Sequence, residues 1–311
     1  MNYKAPLFLF NAHLETIYPS LIRRVETVPY VRERISTPDD DFLDLDWIRQ
    51  GSGKLLIISH GLEGNSKRPY IKGLAKAASA RGYDVLAWNF RGCSGEINRQ
   101  LRFYHSGATD DLDCVVQHVK ANYSYSSVYL AGFSLGGNLT LKYLGERTTD
   151  PLIRKAVVFS VPMDLHTSCD KISLPGNWIY ANRFLKSLKL KVVWKHQRFP
   201  ELDIRPLPRI RTISQFDDVY TAPLHGYRDA TEYYRKNSSI HFVGDIKVPT
   251  LIINALNDPF LSQACFPTKV VSGHPVVRLE TPARGGHVGF AQFRKGGVYW
   301  SEDRALRFLA E

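Results

Sequence analysis

The chain has 311 residues, of which 44% are hydrophobic and 23% are charged. These proportions are ordinary for a globular protein and leave enough apolar residues for one large α/β domain or two small ones. No apolar run reaches the roughly 18 residues that a membrane-spanning helix needs, and the run at residues 6–10 is too short for a signal peptide. We therefore expect a cytoplasmic protein.

The formal net charge of +11 favours acidic partners such as anionic lipids, phosphates or nucleic acid. The positive charge is concentrated in residues 183–211, which contain nine Lys or Arg residues but only Glu201 and Asp203 as acids. Because the chain lacks the Arg/Gly-rich and aromatic-interleaved tracts that bind nucleic acid, no nucleic-acid partner is expected. A solvated basic face and a face that contacts an anionic membrane or phosphate groups both remain open for this segment.

The first 30 residues contain three prolines and are predicted to be irregular, because proline interrupts long helices and strands. After them, apolar runs with the period of strands alternate with amphipathic segments with the period of helices. The predicted strands are 31–36, 42–49, 54–59, 83–90, 128–131 and 156–161, and the predicted helices are 70–81, 109–123 and 138–147. Thr109 is the predicted N-cap of its helix. This alternation predicts an α/β fold with a mostly parallel central sheet and helices on both faces.

The rhythm changes after the sixth strand, where strand signals vanish and residues 177–195 and 231–237 are predicted to be helical. We interpret residues 165–244 as a helical cap, rich in apolar and aromatic side chains, that is inserted into the fold. Residues 1–164 and 245–311 are expected to form the core domain. Within the second part of the core, strands are predicted at 248–255 and 275–280 and a last helix at 298–309.

The pattern Gly132-Phe-Ser-Leu-Gly136 lies between a predicted strand and a predicted helix. In that setting G-x-S-x-G is typical of a nucleophile elbow, a sharp turn that presents the serine hydroxyl. Glycines are expected on both sides because larger side chains would clash with the neighbouring strand and helix. Ser134 is therefore the predicted nucleophile.

A serine hydroxyl needs a base to take its proton, and the base needs an acid to orient it. In this class of fold the order along the chain is serine, acid, histidine. Asp258 follows a predicted buried strand, and His287 lies in a glycine-rich loop after the last strand. Asp217 and Asp218 are the runner-up acids, but they lie in the predicted cap, where we expect a cap-positioning role.

An oxyanion hole needs two backbone N–H groups, one after the nucleophile and one from the loop after the third strand. Leu135 and Leu62 occupy these places. His60 is expected to brace the second loop rather than to react.

The four cysteines are scattered, without a C-x-x-C pair and without histidines at a spacing typical of zinc. They are Cys93, Cys114, Cys169 and Cys265. We expect reduced thiols, and neither a metal nor a cofactor.

Several segments match one known family in the right order. They are residues 11–17, 60–64, 89–95, 104–107, 132–138, 216–218 with 221–223, and 257–259 with 286–287. On these segments, which extend over nearly the whole chain, the protein resembles α/β-hydrolase-fold esterases of AB hydrolase family four. That family includes YheT-like bacterial proteins and eukaryotic medium-chain lipid esterases. Glu15 stands where a glutamine is more usual.

The resemblance implies a carboxylic-ester hydrolase with Ser134, Asp258 and His287 as its catalytic triad. It also implies a small acyl ester of short to medium chain as substrate, and we expect the apolar cap to form the acyl pocket. An acyltransferase with the same triad, a non-catalytic binding protein on the same scaffold and, from charge alone, a nucleic-acid binder are the alternatives.

Overall fold

A computed structural model describes residues 3–26, 28–147, 150–293 and 296–311. Its centre is an eight-stranded sheet in the order β1-β2-β4-β3-β5-β6-β7-β8. The strands are β1 (Val31–Ser36), β2 (Phe42–Ile48), β3 (Lys54–Ser59), β4 (Asp84–Asn89), β5 (Ser127–Phe133), β6 (Ile153–Phe159), β7 (Thr250–Ile253) and β8 (Val277–Glu280). Strand β2 pairs antiparallel with β1 and β4, and the other pairs are parallel. The prediction of a mostly parallel sheet is therefore confirmed.

Helices cover both faces of this sheet. They are α1 (Ala12–Leu21), α2 (Pro69–Ser79), α3 (Thr109–Asn122), α4 (Leu135–Glu146), α5 (Leu165–Ile172), α6 (Trp178–Arg198), α7 (Ile213–Phe216), α8 (Ala222–Leu224), α9 (Ala230–Asn237), α10 (Thr268–Val271) and α11 (Trp300–Ala310). Within β3, Leu55 and Ile57 pack into the apolar core that α3 and α4 share. Leu56 and Ile58 pack into a second core with α2 and α11. Burial on both faces explains why the strand is a continuous apolar run.

Between β6 and β7 the described residues form helices and turns but no strand. Their apolar side chains form a third core with Phe103 and Phe260, which come from loops on the sheet side. These features agree with the expected helical insertion, although the division of the chain into a core domain and a cap stays a prediction. Within the described part of the chain, no helix is both long enough and apolar enough to cross a membrane.

Two expectations for local structure are wrong. The N-terminal segment contains helix α1, whose N-cap Asn11 accepts a hydrogen bond from the N–H of Leu14. Pro19 is tolerated because it lies in the last turn, so the helix ends soon after the hydrogen bond that proline removes. In helix α3 the N-cap is Ala108 rather than Thr109. The Thr109 hydroxyl instead donates to the carboxylate of Glu146 on α4.

The turn between β5 and α4 is strained and tightly enclosed. Ser134 has φ 53° and ψ −120°, a left-handed backbone that non-glycine residues rarely adopt. A Cβ atom built on Gly132 would lie 2.5 Å from the carbonyl oxygen of Gly136. A Cβ atom on Gly136 would lie 2.4 Å from the carbonyl oxygen of His60. Both glycines are therefore present for the predicted reason, which is that a larger side chain would clash with neighbouring backbone.

Gly136→Ala is expected to lower the free energy of unfolding by about 1–3 kcal/mol or more, because the added methyl group meets backbone that cannot move aside. Urea unfolding of purified protein measures this change. Gly176→Ala is the matched control, since a Cβ atom there has no neighbour within 4 Å. Equal stabilities for the two variants would contradict this account of the elbow.

Candidate active site

Ser134, His287 and Asp258 form one hydrogen-bonded chain. The distance between Ser134 Oγ and His287 Nε2 is 2.9 Å. His287 Nδ1 lies 2.9 Å from Asp258 Oδ2 and 3.1 Å from Oδ1. With the proton on Nδ1 donated to the carboxylate, Nε2 is left free to accept the proton of the serine hydroxyl. The structure thus brings together the three residues that the sequence singled out, from loops after β5, β7 and β8.

The loop after β3 lies against the serine. A Cβ atom built on Gly61 would be only 3.1 Å from the Cβ of Ser134. The next residue, Leu62, and the first residue of α4, Leu135, line the same cavity as Ser134. Among the described residues neither leucine N–H donates to a protein acceptor. Both groups are therefore available to a ligand oxygen beside the serine.

His60 holds this loop from inside the protein. Its Nε2 accepts a hydrogen bond from the N–H of Phe90 at 3.1 Å, and its Nδ1 lies 2.8 Å from the carbonyl oxygen of Gly61. Burial lowers the pKa of His60 to about 3, so the ring is neutral. These contacts agree with the expected bracing role.

Glu63, the residue after Leu62, ties the loop to helix α6. Its φ is 52°, and its carboxylate accepts from the Tyr104 hydroxyl at 2.7 Å, from Lys191 Nζ at 2.7 Å and from the Ser187 hydroxyl. The side chains of Glu63 and Lys191 are 6% and 7% exposed. No local sequence pattern indicates this contact, because the two residues are 128 positions apart.

The buried position of Lys191 also changes the interpretation of the basic segment. Lys195, one turn further along α6, is buried too and donates to the carbonyl oxygens of Asn98 and Gln100. The segment is therefore not a uniformly solvated face. Elsewhere on α6, Trp178 and Trp194 are 63% and 48% exposed. Contact of this helix with an anionic membrane stays a prediction.

Helix α1 braces the loops that carry the acid and the histidine. Glu15 is fully buried, and its Oε2 accepts from Asn257 Nδ2 at 2.7 Å and from the N–H of Gly285 at 2.8 Å. Its Oε1 lies 2.7 Å from Arg284 Nη2. The hydroxyl oxygen of Thr16 accepts from the N–H of His287 at 2.9 Å. No local pattern predicts these long-range contacts, although asparagine, the residue type at position 11, commonly caps helices.

Two cavities meet at the serine and the histidine. The first extends under the helices between β6 and β7, and we call it the cap cavity. Its apolar lining includes Leu165, Ile172, Phe184, Leu188, Ile213 and Phe260. The second extends toward helix α1, and we call it the α1 cavity. Ser134 and His287 line both cavities, so an ester bound at the serine could place its two halves on opposite sides.

The runner-up acids are not the partners of His287. Asp217 lines the cap cavity and accepts hydrogen bonds from the Thr221 hydroxyl at 2.5 Å and the Tyr234 hydroxyl at 2.8 Å. Burial raises the pKa of Asp217 to about 6. Asp218 accepts from the N–H of Ala230 at 3.0 Å. Both contacts lie within the helical segment, which agrees with the positioning role expected there.

Within the described ranges, no group of three or more His, Cys, Asp or Glu residues is arranged to hold a metal ion. The four cysteines are free thiols, and all but Cys114 are buried. Burial raises the pKa of Cys93 to about 11 and that of Cys169 to about 12. Both groups are therefore neutral thiols at pH 7.

The eight-stranded sheet and the site at its edge define the class of protein. Residues 54–291 match the alpha/beta hydrolase fold family, and the chain belongs to that family. Its fold also superposes on the esterase Pf2001 of Pyrococcus furiosus with a TM-score of 0.59 at 20% identity, covering 93% of this chain and 97% of that one. The predicted fold class, the α/β-hydrolase fold, is confirmed.

Relatives with higher identity extend over most of the chain. The protein is 38% identical over 288 residues to YheT of Escherichia coli, covering 90% of this chain and 84% of YheT. It is 29% identical over 302 residues to the mouse phospholipase ABHD3, covering 94% and 74%. It is 30% identical over 282 residues to a monoacylglycerol lipase of Saccharomyces cerevisiae, covering 88% and 62%. The predicted family and the predicted class of enzyme, an ester hydrolase, are confirmed.

Glu15→Ala is expected to lower the free energy of unfolding by about 2–4 kcal/mol, because the N–H of Gly285 loses its acceptor and Arg284 loses its ion-pair partner. Glu15→Gln keeps an oxygen for Gly285 and should lose less. Chemical denaturation of both variants measures the difference. Glu26→Ala removes a surface ion pair and is the control, with an expected change below about 0.5 kcal/mol. If Glu15→Ala is no less stable than this control, α1 does not brace the site.

The raised pKa of Asp217 predicts a pH-dependent stability. As the pH rises from the ordinary value of 3.8 to about 6, the unfolded state ionises first and is progressively favoured. Asp217→Asn removes this effect, so its stability relative to wild type should increase over that interval and stay constant above it. The increase is at most about 3 kcal/mol, since one pKa unit corresponds to about 1.4 kcal/mol. Urea unfolding between pH 4 and pH 7 measures it, and a constant difference would refute the assignment.

Proposed function

We propose that the protein is a serine carboxylic-ester hydrolase that acts on short- to medium-chain acyl esters or lipids. The observation that carries the proposal is the hydrogen-bonded chain from Ser134 through His287 to Asp258, at the junction of two cavities. The names of two relatives, a phospholipase and a monoacylglycerol lipase, support lipid esters as substrates.

In the proposed mechanism Ser134 Oγ attacks the ester carbonyl while His287 Nε2 takes its proton. Asp258 keeps the imidazole oriented and stabilises its positive charge. The N–H groups of Leu62 and Leu135 hold the oxyanion as it forms, and the positive end of α4 adds to their effect. His287 then gives its proton to the leaving alcohol, and water releases the acyl group from the serine by the same steps.

The acyl chain is assigned to the cap cavity. Its apolar lining favours hydrocarbon over peptide or sugar. In this proposal residues 165–244 form the cap over the serine. The alcohol half of the ester then occupies the α1 cavity.

Acyl transfer to an alcohol is the second candidate, because the α1 cavity opens on the same serine and could hold an acceptor alcohol. The two reactions share the acyl-enzyme and differ only in whether water or alcohol removes the acyl group. The amount of ethyl ester formed when ethanol is added to the assay separates them.

Hydrolysis of p-nitrophenyl esters from acetate to palmitate tests the proposal. Wild type is expected to have its highest kcat/KM at medium chains, and Ser134→Ala should lose activity by about 10⁴-fold or more. Ser124→Ala, an exposed serine, is the matched control and should retain activity. A fluorophosphonate probe should label wild type and Ser124→Ala but not Ser134→Ala. Activity that survives in Ser134→Ala would rule out this serine as the nucleophile.

A further inference from the structure

The charged side chains that line the α1 cavity carry more positive than negative charge. Its lining contains three arginines and two carboxylates, namely Arg23, Arg68, Arg183, Glu63 and Glu302. Glu302 is bound by Arg23 at 2.6 Å, and Glu63 by Lys191 at 2.7 Å. Both carboxylates are therefore already neutralised, and the charges of Arg68 and Arg183 are left over.

Arg68 and Arg183 have no carboxylate within ion-pair distance among the described residues. The Nη2 group of Arg68 donates to the carbonyl oxygen of Glu63 at 2.7 Å, and this hydrogen bond holds the arginine side chain at the cavity wall. Arg183 is exposed on α6. Both arginines line the α1 cavity. The cavity wall desolvates part of the Arg183 guanidinium although much of the side chain is exposed, and this desolvation, followed by the positive charge of Arg68, lowers its pKa. Two like charges at one cavity repel each other, and a bound anion would relieve that repulsion.

The cap cavity has no such excess of positive charge in its described lining. Its lining in the described residues includes no Lys or Arg, and its one carboxyl group is that of Asp217. An anion would be poorly placed there, without a cation to pair with and beside a carboxylate. An ester with one apolar half and one anionic half therefore fits the site in a single orientation.

We propose that Arg68 and Arg183 form a subsite for an anionic group, a phosphate or a carboxylate, on the alcohol half of the ester. This inference rests on the proposed ester hydrolysis and adds the class of alcohol. Guanidinium groups bind the oxygens of both anions through paired, charge-assisted hydrogen bonds. The acyl chain lies in the cap cavity, and the charged alcohol leaves through the α1 cavity.

Three octanoyl esters that differ only in the alcohol test the subsite: those of glycerol, glycerate and glycerol 3-phosphate. Wild type is expected to hydrolyse at least one of the anionic esters with a kcat/KM about tenfold or more above that of the neutral ester. A preference for the phosphate ester alone, or for both anionic esters, shows which anionic group the subsite accepts. Raised salt should reduce this preference, because it screens the arginines.

Arg183→Gln should reduce the preference for the anionic ester about tenfold, mainly through KM. Arg183 is exposed, so the variant is expected to fold. Lys186→Gln removes a neighbouring positive charge of α6 that lines neither cavity, and it should keep the wild-type preference. Arg68→Lys keeps the charge and should retain more of the preference than Arg68→Gln.

Equal rates for the three esters, or a preference that survives in Arg183→Gln, would overturn the inference. So would hydrolysis of p-nitrophenyl octanoate without hydrolysis of any of the three esters, and the proposed ester hydrolase would still stand. If wild type cleaves neither these esters nor the p-nitrophenyl series, the proposed function itself fails.

Discussion

The left-handed turn at Ser134 depends on close contact between neighbouring backbone segments. These segments approach one another so closely that a side chain larger than that of glycine would clash. Glycines at 61, 132 and 136 allow three segments of chain to meet at the serine. A non-glycine residue in such a conformation costs about 1–3 kcal/mol, which the surrounding packing has to offset. The same packing fixes the distance from the serine to the loop after β3, and hence the place of the Leu62 N–H.

Strain of this kind is concentrated around the site. Of the six described non-glycine residues with positive φ, five lie in the loops after β3, β5, β6 and β8. They are Glu63, Ser134, Ser160, Val288 and Phe290. Val288, next to the histidine, is β-branched, and its N–H donates to the hydroxyl of Ser160 at 2.8 Å. Hydrogen bonds between loops thus hold backbone conformations that the local sequence would not favour.

The parts of the structure that were predictable from the sequence are those that depend on near neighbours. The buried strands, the elbow between β5 and α4, and the positions of Asp258 and His287 after later strands all follow from local patterns and chain order. Helix α1 was missed because the three prolines of the first 30 residues predicted irregular structure, whereas Pro19 lies in the last turn of the helix. Glu15 binds a residue 270 positions away, and no local pattern indicates such a contact. The burial of Lys191 likewise depends on Glu63, which is 128 positions away.

Glu63 links the loop that carries the proposed oxyanion donor to helix α6, which lines the cap cavity. Its backbone continues from the proposed oxyanion donor Leu62, while its carboxylate is held by Ser187 and Lys191 of α6. Phe184 and Leu188 on the same helix line the cap cavity. An acyl chain too long for that cavity would push α6 outward and draw the loop after β3 away from the carbonyl oxygen. Discrimination between chain lengths would then appear in the acylation rate as much as in binding affinity.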